Sequence, residues 1–145
     1  MDVLMLVGRI LFATFFVVSG VGHFKQRQML AGYVRSTVGL PSARQPAAEA
    51  VVILTGGMLL AGSLMVAAGI YGDLGALLLI AFLVPTTALM HAFWKLDDPG
   101  QRQQQQQAFV RNLTYLGASV FLFAYFASGG EGIAYMVTDP LWTIR

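Results

Sequence analysis

Four long apolar segments constrain the fold of this chain more than any other feature of its sequence. They cover approximately residues 3–24, 47–70, 74–94 and 108–127, and each has the length of about 20 residues that a helix needs to cross a bilayer core. Charged side chains make up 11% of the sequence, whereas soluble domains carry roughly 25%. Because no other stretch is long enough for a soluble domain, residues 1–145 are predicted to form a single all-α integral membrane four-helix bundle.

The connections between these segments are short except for the first. Residues 25–45 form the longest connection, and apolar pairs at 29–30 and 33–34 predict a short amphipathic helix at the membrane surface or a re-entrant segment. A tight turn at 71–73 joins the second and third segments. The glutamine-rich stretch 101–107 is too polar for the bilayer, so it predicts a solvated approach to the last helix.

Basic residues indicate the orientation of the predicted bundle. They concentrate in the connections after the first and third segments, whereas the opposite side carries mostly acidic residues. Since connections rich in Lys and Arg stay in the cytoplasm, we predict a multi-pass protein of the cell inner membrane with both termini outside the cytoplasm. The basic residues on the predicted cytoplasmic side are Lys25, Arg27, Arg35, Arg44, Lys95, Arg102 and Arg111.

Composition also limits the chemistry of the chain. The sequence has no cysteine, which excludes disulfides, thiolate nucleophiles and cysteine-held clusters within this chain. Redox chemistry would therefore need a cofactor that is not covalently attached. The net charge of +2 comes from few, scattered charges, and it does not indicate a nucleic acid partner.

The four predicted helices each place one polar residue near their cytoplasmic ends. His23 lies at the end of the first helix, and Glu49 lies at the start of the second. His91 ends the third helix, and Asn112 lies near the start of the fourth. Arg9 lies about 21 Å from His23 at the helical rise of 1.5 Å per residue, so it belongs to the opposite side of the membrane.

A carboxyl group beside imidazoles suits a site that binds and protonates a polar headgroup. Histidine changes its charge near neutral pH, and a reduced quinone exchanges protons as well as electrons. Glu49 and His91 are therefore the predicted catalytic, proton-handling residues, and His23, Arg111 and Asn112 are predicted to bind the cofactor. The predicted cofactor is a noncovalently held quinone whose tail lies among the apolar helices, and membrane lipid is a predicted partner.

Several of these residues also have a structural interpretation. Glu49 lies near a helix N-terminus, where the dipole favours a carboxylate, and it can pair with a cation at the interface. His23 can be an interface residue, and Arg9 can extend toward the headgroups or pair with Asp73. A metal site is not predicted, because the candidate ligands lack a paired helical spacing such as Glu-x-x-His.

Motifs in three of the helices resemble a known family. They are Arg9 and Ser19-Gly-Val-Gly-His-Phe-Lys25 in the first helix, Glu49 and Thr55-Gly-Gly-Met-Leu-Leu-Ala-Gly62 in the second, and Arg111-Asn112-Leu113 with Gly117 in the fourth. Through these motifs the chain resembles the DoxX family of small membrane proteins. The resemblance implies one DoxX-like transmembrane domain that acts as a subunit of a membrane oxidoreductase assembly. It also implies that Glu49, Arg111 and Asn112 belong to the polar pattern of the family.

The leading hypothesis is an inner-membrane subunit that contributes a quinone or lipid-headgroup site to such an assembly. The alternative is a noncatalytic accessory subunit that packs against a larger membrane protein complex through small-residue and aromatic helix faces. A small transporter or channel is disfavoured, because the middle of each segment is too apolar for a polar path. The small residues predicted to allow close helix approach are Gly56, Gly57, Ala61, Gly62, Gly117 and Ala118.

Overall fold

The apolar segments of the chain form α-helices. A computed structural model describes residues 2–128 and 136–143, and within these ranges the chain has no strand, which confirms the predicted all-α class. Two short 3-10 turns, Ser42–Arg44 and Phe93–Lys95, precede α3 and α5. The five helices of the described ranges are α1 (Asp2–Lys25), α2 (Arg27–Thr37), α3 (Gln45–Ala68), α4 (Gly72–Met90) and α5 (Pro99–Ala127).

Within the described ranges, α1, α3, α4 and α5 are long and apolar enough to cross a membrane, as predicted. The last of them starts at Pro99 rather than near residue 108, so the glutamine-rich stretch belongs to α5. A side-chain oxygen of Asp98 accepts a hydrogen bond from the Gln101 backbone N–H at 2.7 Å. Asp at the cap and Pro in the first turn both favour the start of a helix, and they explain the earlier beginning.

Helix α3 lies at the centre of the packing, between α1 and α4, and α4 packs in turn against α5. The short helix predicted in the first connection is α2, which lies along the first turns of α3. Its Ala31 is fully buried against Ala48 and Val52 of α3. Burial of small apolar side chains on both helices therefore fixes the position of α2.

Aromatic side chains fill the space between α1 and α5. The Phe15 ring lies 4.2 Å from the Tyr115 ring between centroids, and the buried Phe16 ring lies 5.6 Å from it. Phe16 also belongs to the central apolar cluster, together with residues such as Leu79 and Phe126. The contact between α1 and α5 is thus made by large, planar side chains.

Glycines allow α3 to approach both of its long neighbours closely. A Cβ atom built on Gly62 would lie 2.8 Å from the carbonyl oxygen of Gly75 in α4, and a Cβ on Gly75 would lie 2.8 Å from the carbonyl oxygen of Gly62. A Cβ on Gly56 would lie 2.8 Å from the Cβ of His23 in α1. The close approach predicted for Gly56 and Gly62 is therefore confirmed. Gly57 and Gly117 were also predicted to allow close approach. A Cβ atom on either would have no neighbouring helix within 4 Å, so these two glycines do not serve that purpose.

Residues 136–143 lie against the end of the bundle where α3 turns into α4. Asp73, in the first turn of α4, is fully buried, and its Oδ2 accepts hydrogen bonds from the backbone N–H groups of Leu141 at 2.6 Å and Trp142 at 2.9 Å. We call this end of the bundle the Asp73 end. Further hydrogen bonds join Val137 to Gly69, and Tyr71 to Thr138.

Arg9 is also buried at the Asp73 end, with 3% of its surface exposed. Its Nη1 donates to the sulfur of Met136 at 3.5 Å. The two predicted roles of Arg9 were therefore wrong: burial is incompatible with extension toward the headgroups, and the Asp73 carboxylate bonds to backbone N–H groups instead. The prediction that Arg9 and His23 lie at opposite ends of the bundle is consistent with this position.

Candidate functional site

A cavity of about 390 Å³ lies at the end of the bundle that carries both histidines, which we call the histidine end. This volume falls within the roughly 300–1,000 Å³ that is typical of small-molecule sites. The wall is mostly apolar, and all five helices contribute to it. Lining residues such as Phe15, Val51 and Leu89 are also exposed on the outside of the bundle. The cavity is therefore open sideways, toward the surroundings of the helices.

Four of the five predicted site residues line this cavity: His23, His91, Arg111 and Asn112. The Arg111 side chain is exposed, whereas Asn112 retains only 8% of its surface exposed. Among the described residues no hydrogen bond joins the Asn112 amide to another group, and its N and O atoms are not among the fully enclosed polar atoms, so they reach the cavity. This amide is therefore available to a ligand of the cavity.

Glu49 does not line the cavity, because it faces α2. Its Oε1 accepts a hydrogen bond from Gln45 Nε2 at 3.3 Å, and its Oε2 lies 3.9 Å from Arg27 Nε. Gln45 Nε2 also donates a hydrogen bond directly to α2, to the carbonyl oxygen of Gln28. Glu49 thus joins α2 to the start of α3, which corresponds to the pairing role that the sequence left open.

The His23 ring is held in place by contacts within α1 and with α4, next to a close approach of α3. Its Nδ1 donates to the carbonyl oxygen of Ser19 at 2.9 Å, one helical turn earlier in α1. The ring meets Phe82 of α4 edge-on, with 5.7 Å between the centroids. On the third side, Gly56 of α3 leaves room for the His23 Cβ. These contacts fix the ring beside the cavity and leave Nε2 as its remaining polar atom.

His91 takes part in a chain of hydrogen bonds that joins three helices. Its Nδ1 lies 2.7 Å from Oε1 of Gln105 in α5, and Gln105 Nε2 donates to the Tyr33 hydroxyl of α2 at 3.4 Å. The Tyr33 hydroxyl donates to the carbonyl oxygen of Met90, in the last turn of α4, at 2.8 Å. That carbonyl is one of those that the end of a helix leaves without an intrahelical partner.

Sequence reasoning missed Tyr33 and Gln105. One signal was present, because Gln105 precedes Asn112 by seven residues, or two helical turns, and so shares its face of α5. The other glutamines of the run obscured this signal as long as the stretch was taken for a solvated approach. Tyr33 had no comparable signal. Within the described residues, no three His, Cys, Asp or Glu side chains are grouped so that they could hold a metal.

Comparisons with known proteins agree with this architecture. The DoxX family model matches residues 4–92, which is more than half of the chain and runs from α1 through α4. The matched segment contains His23, Glu49 and His91, and it ends before Arg111 and Asn112. No curated protein and no solved structure matches the chain. With four membrane-capable helices and a family match over most of their length, this multi-pass membrane protein belongs to the DoxX family.

Proposed function

We propose that this DoxX protein binds the ring headgroup of a quinone in the cavity at the histidine end. In this way it contributes a quinone site to an oxidoreductase assembly of the inner membrane. The observation that carries the proposal is the Asn112 amide, which makes no hydrogen bond within the described structure and faces the same cavity as two histidines. An apolar cavity with a few convergent polar groups is the usual form of a small-molecule site.

The polar groups of the cavity have the chemistry to bind the oxygens of such a ring. Asn112 and Arg111 supply N–H donors for ring oxygens, and His23 and His91 supply imidazoles that can exchange protons with them. The apolar tail leaves the cavity through its sideways opening beside Phe15 and lies along the exposed helix surface. The quinone is held without a covalent bond, and the partner protein of the assembly supplies the electron-transfer groups.

The orientation proposed from the basic residues determines which side of the membrane this site faces. Lys25 and Lys95 lie at the histidine end, and the connections that carry them are rich in basic residues. By the positive-inside rule this end faces the cytoplasm, and both termini lie outside it. Protons exchanged with the ring then come from the cytoplasmic side.

The test is mass spectrometry of the small molecules that the gently purified protein retains. We expect the wild type to retain a quinone at a near-stoichiometric level, and Asn112→Leu to retain at least about tenfold less, because the hydrogen bond from the amide to the ligand is lost. Thr114→Val is the matched control, since Thr114 is an exposed residue of the same helix whose hydroxyl bonds only within α5.

The outcomes separate the alternatives. A phospholipid retained in place of a quinone, and lost in Asn112→Leu, would replace the quinone with a lipid headgroup. If no small molecule is retained while a partner protein co-purifies with both variants, the chain is an accessory subunit and the quinone proposal is wrong.

Glu49→Gln is expected to leave the retained quinone unchanged, because Glu49 lies outside the cavity and faces α2. Loss of a partly exposed ion pair at 3.9 Å should lower the free energy of unfolding by less than about 1 kcal/mol. The same two measurements, retained quinone and unfolding in detergent, check both statements. Loss of the quinone from folded Glu49→Gln protein would return Glu49 to the proton-handling role predicted from the sequence.

A further inference from the structure

The hydrogen bonds that connect Tyr33, Gln105 and His91 have a fixed direction. The Tyr33 hydroxyl has one proton, and it gives that proton to the Met90 carbonyl oxygen, which can only accept. The Tyr33 oxygen therefore accepts from Gln105, so the NH₂ group of the Gln105 amide faces Tyr33 and its Oε1 faces His91. The reverse orientation of the amide would place two acceptors against each other.

This direction determines which nitrogen of His91 carries the proton. Gln105 Oε1 can only accept, so His91 Nδ1, 2.7 Å away, is protonated. The Ser19 carbonyl oxygen has the same effect on Nδ1 of His23 at 2.9 Å. In the neutral form of each imidazole, which has one donor and one acceptor nitrogen, Nε2 is then the acceptor. In the described part of the chain neither Nε2 has a hydrogen-bond partner.

We propose that Tyr33 and Gln105 hold the neutral form of His91 with its proton on Nδ1, and that Ser19 does the same for His23. The cavity consequently prefers a hydroquinone over the oxidised quinone. The preference rests on the proposed function, since it takes the ligand to be a quinone. Tyr33 and Gln105 are positioning residues in this scheme, because they act on the ligand through His91.

The preference follows from the donors and acceptors of the two ligand forms. A hydroquinone has two O–H donors that two Nε2 acceptors can receive, whereas a quinone has only carbonyl acceptors. Arg111 and Asn112 can donate to the oxygens of either form, so they do not distinguish the forms. A ring nitrogen acceptor that faces a carbonyl acceptor remains unsatisfied by the ligand, and we expect the hydroquinone to bind at least about tenfold more tightly.

Nitrogen-15 NMR of histidine-labelled protein tests the proton positions without any ligand. The chain has only two histidines, and a His91→Gln variant assigns their signals. At mildly alkaline pH we expect both rings in the Nδ1–H form in the wild type. In Gln105→Leu, His91 should change to the Nε2–H form while His23 stays unchanged. Gln103→Leu, an exposed glutamine of the same run, should change neither ring. A wild-type His91 in the Nε2–H form would overturn the inference.

Binding of a short-tailed benzoquinone and of its hydroquinone, measured without oxygen, tests the redox preference. We expect the wild type and Gln103→Leu to bind the hydroquinone at least about tenfold more tightly, and Gln105→Leu to bind the two forms within about threefold of each other. Equal or tighter binding of the quinone by the wild type would overturn the inference and leave the proposed function standing. Binding of neither form would overturn the proposed function, while the NMR result still decides the proton positions.

Discussion

Asp73→Ala is expected to lower the free energy of unfolding by about 3 kcal/mol, because two backbone N–H groups lose a charged acceptor that contributes about 1.5–3 kcal/mol to each. The Asp73 carboxylate is fully buried and receives the N–H groups of Leu141 and Trp142. It also lies in the first turn of α4, where the helix dipole favours a negative charge. The second carboxylate oxygen, Oδ1, is buried without a hydrogen-bond partner among the described residues, and this burial costs free energy. The expected loss is therefore near the lower end of the summed contributions of the two hydrogen bonds.

Unfolding in detergent with increasing denaturing surfactant measures this change, and limited proteolysis reports whether residues 136–143 have been released. Asp97→Ala is the matched control, because Asp97 is exposed in the connection before α5. Asp73→Asn retains an acceptor oxygen and should fall between the wild type and Asp73→Ala. Equal stability of the Asp73→Ala and Asp97→Ala proteins would contradict the assigned role of the carboxylate.

Gly62→Ala should destabilise the bundle by about 1–3 kcal/mol, the range expected when a methyl group is forced into a closely packed contact. The new Cβ would meet the Gly75 carbonyl oxygen at 2.8 Å, and a backbone atom cannot turn aside as the end of a flexible side chain can. α3 and α4 must therefore move apart. The movement also weakens the packing of the neighbouring Leu79 side chain, which lies 3.2 Å from the same position.

Gly57→Ala provides the comparison, because Gly57 lies in the same helix and a Cβ there has no neighbour within 4 Å. Alanine also favours the helix by up to about 1 kcal/mol over glycine, so this variant should be neutral or slightly more stable. Both variants are measured by the same surfactant titration. A Gly62→Ala protein as stable as Gly57→Ala would mean that α3 and α4 do not approach as closely as the structure shows.

The helices of this protein were predictable from sequence because a bilayer imposes a length and an apolar character that no connection shares. The start of α5 was less predictable, since the polarity of residues 101–107 outweighed the capping signal of Asp98 and Pro99. A polar helix turn outside the bilayer is compatible with an apolar span that follows it. The sequence therefore indicated a membrane-capable helix here, but the predicted start of that helix was wrong.

The composition of the candidate site was predictable only in part, because the rotation of each helix about its axis depends on distant contacts. Glu49 and Asn112 were both predicted at the cytoplasmic ends of their helices, yet Glu49 faces α2, where Gln45 on the same helix face also bonds. Likewise, the two glycines at 56 and 57 look equivalent in the sequence, but only Gly56 faces His23. Packing between elements that are far apart in the chain decides these orientations.

The two ends of the bundle differ in construction, and for the proposed ligand this difference decides from which side of the bilayer the cavity can be reached. The cavity opens sideways at the histidine end, whereas residues 136–143 lie across the Asp73 end. Each monolayer of a typical bilayer contributes about 15 Å of hydrocarbon thickness, so a sideways opening near one end faces a single leaflet. An amphiphile in the other leaflet has to flip across the bilayer before it can enter. For the proposed quinone, occupancy of the cavity would therefore follow the composition of one leaflet and the rate of transbilayer exchange.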